Sequence, residues 1–307
     1  MKNTIAIVGC GNVGMAYAYA LLNQKTFVNK LILIDKDEKK AQGEAMDLNH
    51  GLPFGPTKME IKAGTYTDCK DAKIVVIAAG ANQEKNETRM DLIHKNSVIF
   101  KSIVQSIKQS GFNGIYLIAT NPVDIMTYLT YQYSQTDTSK VLGTGTILDT
   151  ARLRFLISEK LKLNPKNIHA YVMGEHGDSE FVPWSIANIG IENVKKYLTE
   201  QEMEEIYVEV RDAAYKIINA KGNTAYGIGM SLVRITNAIL GDENTILAVS
   251  SYDKNNNCFV GGPTILNKNG VKERLYIHLT EQEEQKLTES IKVIKNAIEK
   301  TEDEEIL

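Results

Sequence analysis

Short, nearly unbroken apolar runs alternate with amphipathic stretches through the first half of the chain. Thr4–Val8, Leu31–Ile34, Ile74–Ala78 and Ile115–Ala119 hold almost no polar residue, as expected of strands whose two faces are both buried in a parallel sheet. Met15–Leu22, Glu38–Asn49 and Asp91–Ser110 fall between them with helical spacing. Strand and helix in turn predict an α/β unit over residues 1–144, a doubly wound parallel sheet of Rossmann type.

The pattern changes beyond that point. Ile168–Met173 reads as an apolar strand, and Leu148–Lys160 as a helix that ends before Asn164-Pro165. Thr199–Ala220 carries an apolar stripe at Met203, Ile206, Val210, Ala213 and Ile217, with Thr199 and Glu202 as a capping box and Gly222 as a stop. Ile246–Tyr252, Cys258–Leu266 and Val271–Leu279 are expected to be antiparallel strands joined by Asn-rich and Asn-Gly turns. A last helix starts at Thr280, boxed by Glu283, and turns Leu287, Ile291, Ile294 and Ile298 inward, while acidic Glu302–Glu305 suggests a frayed end. Residues 145–307 should therefore form a second, α+β domain with antiparallel strands.

Composition narrows the function classes. The 307 residues are 43% hydrophobic and 24% charged, with a net charge of -3 and a pI near 6.0, which gives no electrostatic case for nucleic acid or an anionic membrane. No apolar run approaches the ~20 residues of a membrane helix, and the first strand starts too early to leave room for a signal peptide. Cys10, Cys69 and Cys258 are odd in number and dispersed. They build neither a disulfide framework nor a zinc site, so a reducing cytoplasm and no metal are expected.

Two stretches carry candidate chemistry. Gly9-Cys10-Gly11-Asn12-Val13-Gly14 sits between the first strand and the first helix. There Gly9 permits a tight turn, Gly11 lets backbone approach a pyrophosphate, and Gly14 lets helix and strand pack closely. Asp35 ends the second strand 21 residues after Gly14, where a carboxylate accepts from both ribose hydroxyls and repels a 2′-phosphate. NAD is therefore expected over NADP, although Lys36 beside it could tolerate a phosphate. Small Ala79, Gly80 and Ala81 would let the cofactor lie against backbone. The second stretch is Gly174-Glu175-His176-Gly177-Asp178, in which glycines bracket an imidazole able to exchange a proton near neutral pH. Asp149 and Arg152, three apart on a helix, project to one side. If Asp149 meets His176 it fixes the ring's tautomer and favours its charged form, and Arg152 can then grip a carboxylate.

Five blocks in fixed order extend this picture: Gly80-Ala81-Asn82-Gln83, Glu87-Thr88-Arg89-Met90-Asp91-Leu92, Thr120-Asn121-Pro122-Val123-Asp124, Gly143 through Arg152, and Gly174 through Asp178. With them the chain resembles the lactate/malate dehydrogenase family end to end, and within it the L-lactate dehydrogenases. The resemblance implies reversible NADH-dependent reduction of pyruvate to L-lactate, a fermentative step of glycolysis. His176 matches the proton donor, Asp149 its partner, Arg152 the grip on the substrate carboxylate, and Arg89 the group that polarises the carbonyl. Asn121 matches a contact to substrate oxygen and nicotinamide, with Thr120 before it, and Thr236 matches a pocket position. Gln83 stands where the malate-reading branch typically carries Arg; without that cation a second substrate carboxylate would be buried unpaired.

Departures and alternatives remain. Glu84-Lys85-Asn86 replaces the Lys-Pro-Gly common at this loop, which alters its backbone entropy and leaves branched-chain 2-oxo acids or malate open as substrates. Arg154 is kept at a position that binds fructose 1,6-bisphosphate in many relatives, but Tyr171 replaces the matching histidine, so activation by that sugar phosphate should be weak or absent. The resemblance implies a homotetramer, with a helix at Glu44–Gly51 pairing subunits. A dimer is also compatible, because the chain starts at its first strand without an N-terminal arm. A non-catalytic NAD-binding regulator and a metal-dependent NAD-using glycosidase are the rivals from other classes.

Overall fold

The computed structural model describes residues 3–56, 58–81 and 89–305, excluding the side chains of Arg89 and of residues 302–305. In chain order the main elements are β1 (Thr4–Val8), α1 (Asn12–Leu22), β2 (Lys30–Ile34), α2 (Glu38–Gly51), β3 (Glu60–Ala63), β4 (Ile74–Ile77), α3 (Arg89–Gln109), β5 (Ile115–Ile118), α4 (Val123–Ser134) and β6 (Val141–Gly143). There follow α5 (Ile147–Leu161), β7 (Ile168–His169), β8 (Asn188–Ile189), β9 (Glu192–Asn193), α6 (Glu200–Lys221), α7 (Tyr226–Leu240), β10 (Thr245–Asp253), β11 (Cys258–Asn267), β12 (Gly270–Arg274) and α8 (Glu281–Glu305).

Strands β3-β2-β1-β4-β5-β6 are parallel in that spatial order, the doubly wound arrangement the apolar runs predict. The runs are continuous because each strand feeds two cores. Ile5, Ile7, Leu31, Leu33, Ile74 and Val76 face α1, α2 and α7, while Ala6, Val8, Ile32, Ile34, Val75 and Ile77 face α3, α4 and α8. The sheet does not stop at β6. Ser250 of β10 pairs antiparallel with Gly143, and β11 and β12 extend the same sheet to nine strands. A third core lies among α5, α6 and the small β7-β8-β9 sheet.

Both capping boxes form. Thr199 caps α6 with Glu202 reaching back, and Thr280 and Glu283 do the same for α8. Gly222 closes α6 with φ +85°. Only Met203, Ile206 and Val210 of the α6 stripe are buried; the helix runs away from the core after its third turn. The acidic end is helical as far as Glu305. Beta-strand Ile168–Met173 is a correction: β7 stops at His169, and Met173 makes an isolated bridge to Phe181. The run is buried except for half-buried Tyr171 and exposed His169, but hydroxyls of α5 and of its N-cap residue serve Val172 instead of a strand partner. Its N–H donates to Thr150 Oγ1 at 3.0 Å, and its C=O accepts from Thr146 Oγ1 at 2.7 Å.

Candidate active site

The strand-to-helix turn after β1 is fixed by contact with the next loop. Gly9 has φ +104°, and a Cβ there would lie 2.5 Å from the Ala79 amide nitrogen. At Gly14 a Cβ would come within 2.0 Å of the Gly9 carbonyl oxygen, so helix and turn touch backbone to backbone. Gly11 is different: a Cβ there meets no protein atom within 4 Å. The protein's own packing does not require glycine at this N-cap, which is the behaviour expected where a ligand must come close. No side chain caps α1 and no acid lies in its first turn, so its free N–H groups and dipole face the turn ready for an anion. Exposed Asn12 and half-buried Val13 open the helix.

Asp35 follows β2 and bends toward the turn. One carboxylate oxygen accepts from the Cys10 amide at 2.7 Å and the other from the Asp37 amide at 3.0 Å. Lys36 is exposed. Across the sheet, Asn96 of α3 ties two loops together: its side chain accepts from Ala81 N–H at 2.8 Å and donates to the Asn121 carbonyl at 3.1 Å. Thr120 Oγ1 donates to the Ala79 carbonyl at 2.7 Å. Gly80 sits between them, where a Cβ would meet Thr120 Cγ2 at 2.6 Å. These loops and the glycine turn lie together at the carboxyl ends of β1, β2, β4 and β5, with Asn121 exposed before Pro122. The residues present therefore fit a dinucleotide: free helix N–H groups for phosphate, a carboxylate at the strand end for ribose, and small residues along the sheet's edge.

The chemical end is built on α5. Asp149 in its first turn is 2% exposed, and its two oxygens serve two cations. Arg152 NH1 donates to Oδ1 at 2.8 Å, and the His176 ring meets Oδ2 through Nδ1 at 2.7 Å. Among the described residues nothing else holds Nε2 or the rest of the guanidinium, with the imidazole side chain one-quarter exposed and that of Arg152 at 13%. The loop that carries His176 is pinned on every side. Gly174, with φ +97°, exchanges two backbone hydrogen bonds with Gly261 of β11. Ser290 of α8 accepts from the Glu175 amide at 2.6 Å, and Asp124 of α4 accepts from the His176 amide at 2.8 Å. Asp124 is itself held by the Ser250 hydroxyl of β10.

Electrostatics follow from this packing. Burial opposes a charge on His176, but the Asp149 carboxylate and its hydrogen bond, with help from Glu180 and Asp124, outweigh it and push the ring up to about 9. Burial likewise works against ionised Asp149, yet His176 and Arg152 hold it below the usual carboxylate range. For Asp124 burial prevails and its carboxyl is raised despite the hydrogen bonds it accepts. Glu180 is 3% exposed, and burial reinforced by the Asp149 charge pushes it well above the ordinary value. Asp149, His176 and Glu180 offer ligand atoms within 4.8 Å of one another. The contact between Nδ1 and Oδ2 is nevertheless hydrogen-bond spacing, with a guanidinium alongside, and it suits a shared proton better than a metal ion.

Residues 3–143 match the lactate/malate dehydrogenase NAD binding domain, and residues 146–305 match the α/β C-terminal domain of the same family. The chain belongs to the lactate/malate dehydrogenase family. Its N-terminal part is an NAD-binding domain. Among family members, the chain is 50% identical to an L-lactate dehydrogenase of Geobacillus sp. over 96% of each chain. It is 47% identical to L-lactate dehydrogenase 1 of Bacillus cereus over 96% of this chain and 97% of that one. A lactate dehydrogenase from a deep-sea metagenome of the Medee basin superposes with a TM-score of 0.96 at 48% identity, covering 98% of this chain and all of the other. The minor L-lactate dehydrogenase of Enterococcus mundtii, with ligands bound, gives 0.95 at 42% identity, covering 97% and 98%.

Of the residues singled out in the sequence, His176, Asp149 and Arg152 come together directly. The cofactor group of Gly9, Gly11, Asn12, Val13, Gly14, Asp35, Ala79, Gly80, Ala81, Thr120 and Asn121 lies along the loops at one end of the sheet. Arg89 opens α3, but its side chain, like Gln83, lies outside the described residues. Thr236 on α7 is fully buried, its hydroxyl 2.6 Å from that of Tyr17 on α1. Arg154 donates to the Ala170 carbonyl at 3.0 Å and stacks 5.1 Å from the Tyr171 ring. Sequence reasoning gave no role to Asn96, Asp124, Ser250 or Glu180. Asp124 was within reach, as an acid in the otherwise apolar start of α4 within a quoted block.

Proposed function

We propose that this chain is an L-lactate dehydrogenase that reduces pyruvate to L-lactate with NADH, and runs the reverse reaction with NAD⁺. One observation carries the reading: a proton donor and a carboxylate-binding guanidinium occupy the two oxygens of a single buried carboxylate. NADH, when bound, supplies the hydride. Arg152 grips the substrate carboxylate through the N–H groups that Asp149 leaves free, which brings the neighbouring ketone to the imidazole. Asp149 keeps the proton on Nδ1, so Nε2 of the imidazolium faces the ketone oxygen and delivers a proton as negative charge grows there. In the oxidation direction neutral Nε2 takes the hydroxyl proton. With the ring held at about 9, the donor form dominates at neutral pH.

Roles for Arg89 in polarising the carbonyl, for Asn121 beside the nicotinamide, and for Gln83 in substrate choice rest on the match to family motifs; fully buried Thr236 is engaged by Tyr17 and is left out of the site. Asp35 at the strand end supports NAD over NADP. We take residues 1–144 as the cofactor domain and residues 145–307 as the substrate domain, a division consistent with the two family matches. Among the described residues no helix is long and apolar enough to cross a membrane, which agrees with a cytoplasmic, fermentative role. A homotetramer is the proposed assembly. It is supported by exposed Tyr19, Tyr226 and Met230 around a groove of 1110 Å³ between α1, α2 and α7, and by exposed Met46 on α2. NADH oxidation with pyruvate, oxaloacetate and 2-oxoisocaproate, measured side by side, tests the function. Pyruvate should give the highest kcat/KM, and a preference for either other acid would overturn the substrate assignment.

A further inference from the structure

Glu180 lies four residues beyond the proton donor and is not needed for any step above. Its backbone is fixed at both ends: the N–H donates to the Gly177 carbonyl at 3.1 Å, and the carbonyl accepts from the Tyr207 hydroxyl of α6 at 2.7 Å. Its side chain is thereby held inside the protein, with Oε1 buried and without a hydrogen-bond partner among the described residues. A carboxyl oxygen of Glu180, one of Asp149 and a ring nitrogen of His176 lie within 4.8 Å of one another. A buried carboxyl that forms no structural hydrogen bond through Oε1 is expensive to keep, and here it stands beside the proton-transfer pair.

We infer that Glu180 is a positioning residue for the reaction, a second carboxyl that acts through His176 by retaining the proton on the imidazole once Glu180 itself is ionised. The inference rests on the lactate dehydrogenase reading and adds a determinant of its pH range. The groups facing this pair are Asp149 and Arg152 from α5, Asp124 from α4 and Asp178 from the same loop. On α6, Tyr207 lies under Glu180, with Arg211 beside the Tyr207 ring. Below the range in which either group titrates, un-ionised Glu180 sits next to imidazolium and Asp149 alone holds the ring. As pH rises the two protons leave as a coupled pair. Loss of the Glu180 proton creates an anion about 5 Å from the ring, and that anion makes the imidazolium harder to deprotonate. The buried carboxyl is poised for this because no hydrogen bond from the described residues to Oε1 stabilises its charge in advance.

The isosteric variant Glu180→Gln separates this role from packing. Relative to wild type it should keep kcat/KM for pyruvate within about twofold on the acid side. Its alkaline limb should move to lower pH by about 0.5–2 units, the range set by one charge at this distance in a partly shielded site. The His176 ring resonance, followed by NMR without substrate and identified by its loss in His176→Gln, should shift its midpoint by a similar amount. Glu180→Asp should recover part of the shift. An unmoved limb and ring midpoint in Glu180→Gln would overturn the inference. On the unmodified protein, the Glu180 carboxyl must lose its proton before the ring does, so a carboxyl still protonated by NMR at the ring's midpoint overturns the inference even if Glu180→Gln fails to fold. Absence of pyruvate turnover in the wild type would tell against the enzyme reading instead, while the ring titration, which needs no substrate, still decides the role of Glu180.

Discussion

Replacing Asp149 with Asn removes one negative charge while keeping the side chain's shape, and its cost should depend on pH in a way the geometry specifies. With the carboxylate in place the His176 ring titrates at about 9. Without it, burial pulls the ring to its ordinary value of about 6.5 or below. At pH 8 the donor form then falls from about 90% of the enzyme to about 3%, a loss of roughly 30-fold from protonation alone. At pH 6 the same effect is less than about twofold. A further loss, constant with pH, comes from releasing Arg152 and loosening the ring, roughly 10–100-fold if it matches the cost of removing a partner that orients a metal-bound histidine. The kcat/KM for pyruvate reduction should therefore fall by about 300–3,000-fold at pH 8 and by about 10–200-fold at pH 6. Steady-state assays from pH 5.5 to 9 check this, and a wild-type-to-variant ratio that stays constant across that range would refute the argument. The sign carries over to stability. A histidine raised above its unfolded value contributes stability in full below about 6.5 and loses it as pH rises through about 9. Asp149, lowered in the fold, contributes above its unfolded value near 3.8 and loses that contribution as pH falls. The variant's deficit in melting temperature should thus be widest between those limits and narrow above pH 9.

Asp35→Ser should raise the KM for NADH about tenfold, the worth of one charge-assisted hydrogen bond, and reduce discrimination against NADPH; an unchanged NADH-to-NADPH ratio removes Asp35 from the ribose site. Gln83→Arg should shift preference toward oxaloacetate by supplying a partner for its second carboxylate, and equal pyruvate selectivity in a substrate panel would defeat the pocket argument. Fructose 1,6-bisphosphate should change the pyruvate KM by less than about twofold, because Arg154 is engaged by the Ala170 carbonyl and the Tyr171 ring; a large drop in KM on adding it would show that those contacts give way.

The parallel half of the fold was legible because its strands are buried on both sides, which leaves an unambiguous apolar run for each. Edge strand β3 was missed for the opposite reason: Glu60-Ile61-Lys62-Ala63 has one buried residue among partly or fully exposed ones. Helix α4 was missed because it is buried on nearly every face and rich in Thr and Tyr, so it carries no amphipathic stripe. At the site, the dyad was readable from the three-residue spacing of Asp149 and Arg152 and the glycine-bracketed His176. Asp124 stood in a quoted block, but its hold on His176, and that of Ser250 on it, arise between segments far apart in the chain, and Glu180, though four residues from His176, is fixed by Tyr207 of α6. Ser250 lies 126 positions from the carboxylate it holds, and no local spacing rule reaches across such a separation.

The pairing of Gly143 with Ser250 joins strands from both halves into one ladder. A hinge that swung the nucleotide-binding edge away from the imidazole would have to break that seam and unzip β10 from β6. Such a molecule cannot set its hydride-transfer distance by rotating two lobes; the spacing is cast into the plate itself. Adjustment to a bulkier keto acid must come from side chains and connecting segments above a floor that does not bend.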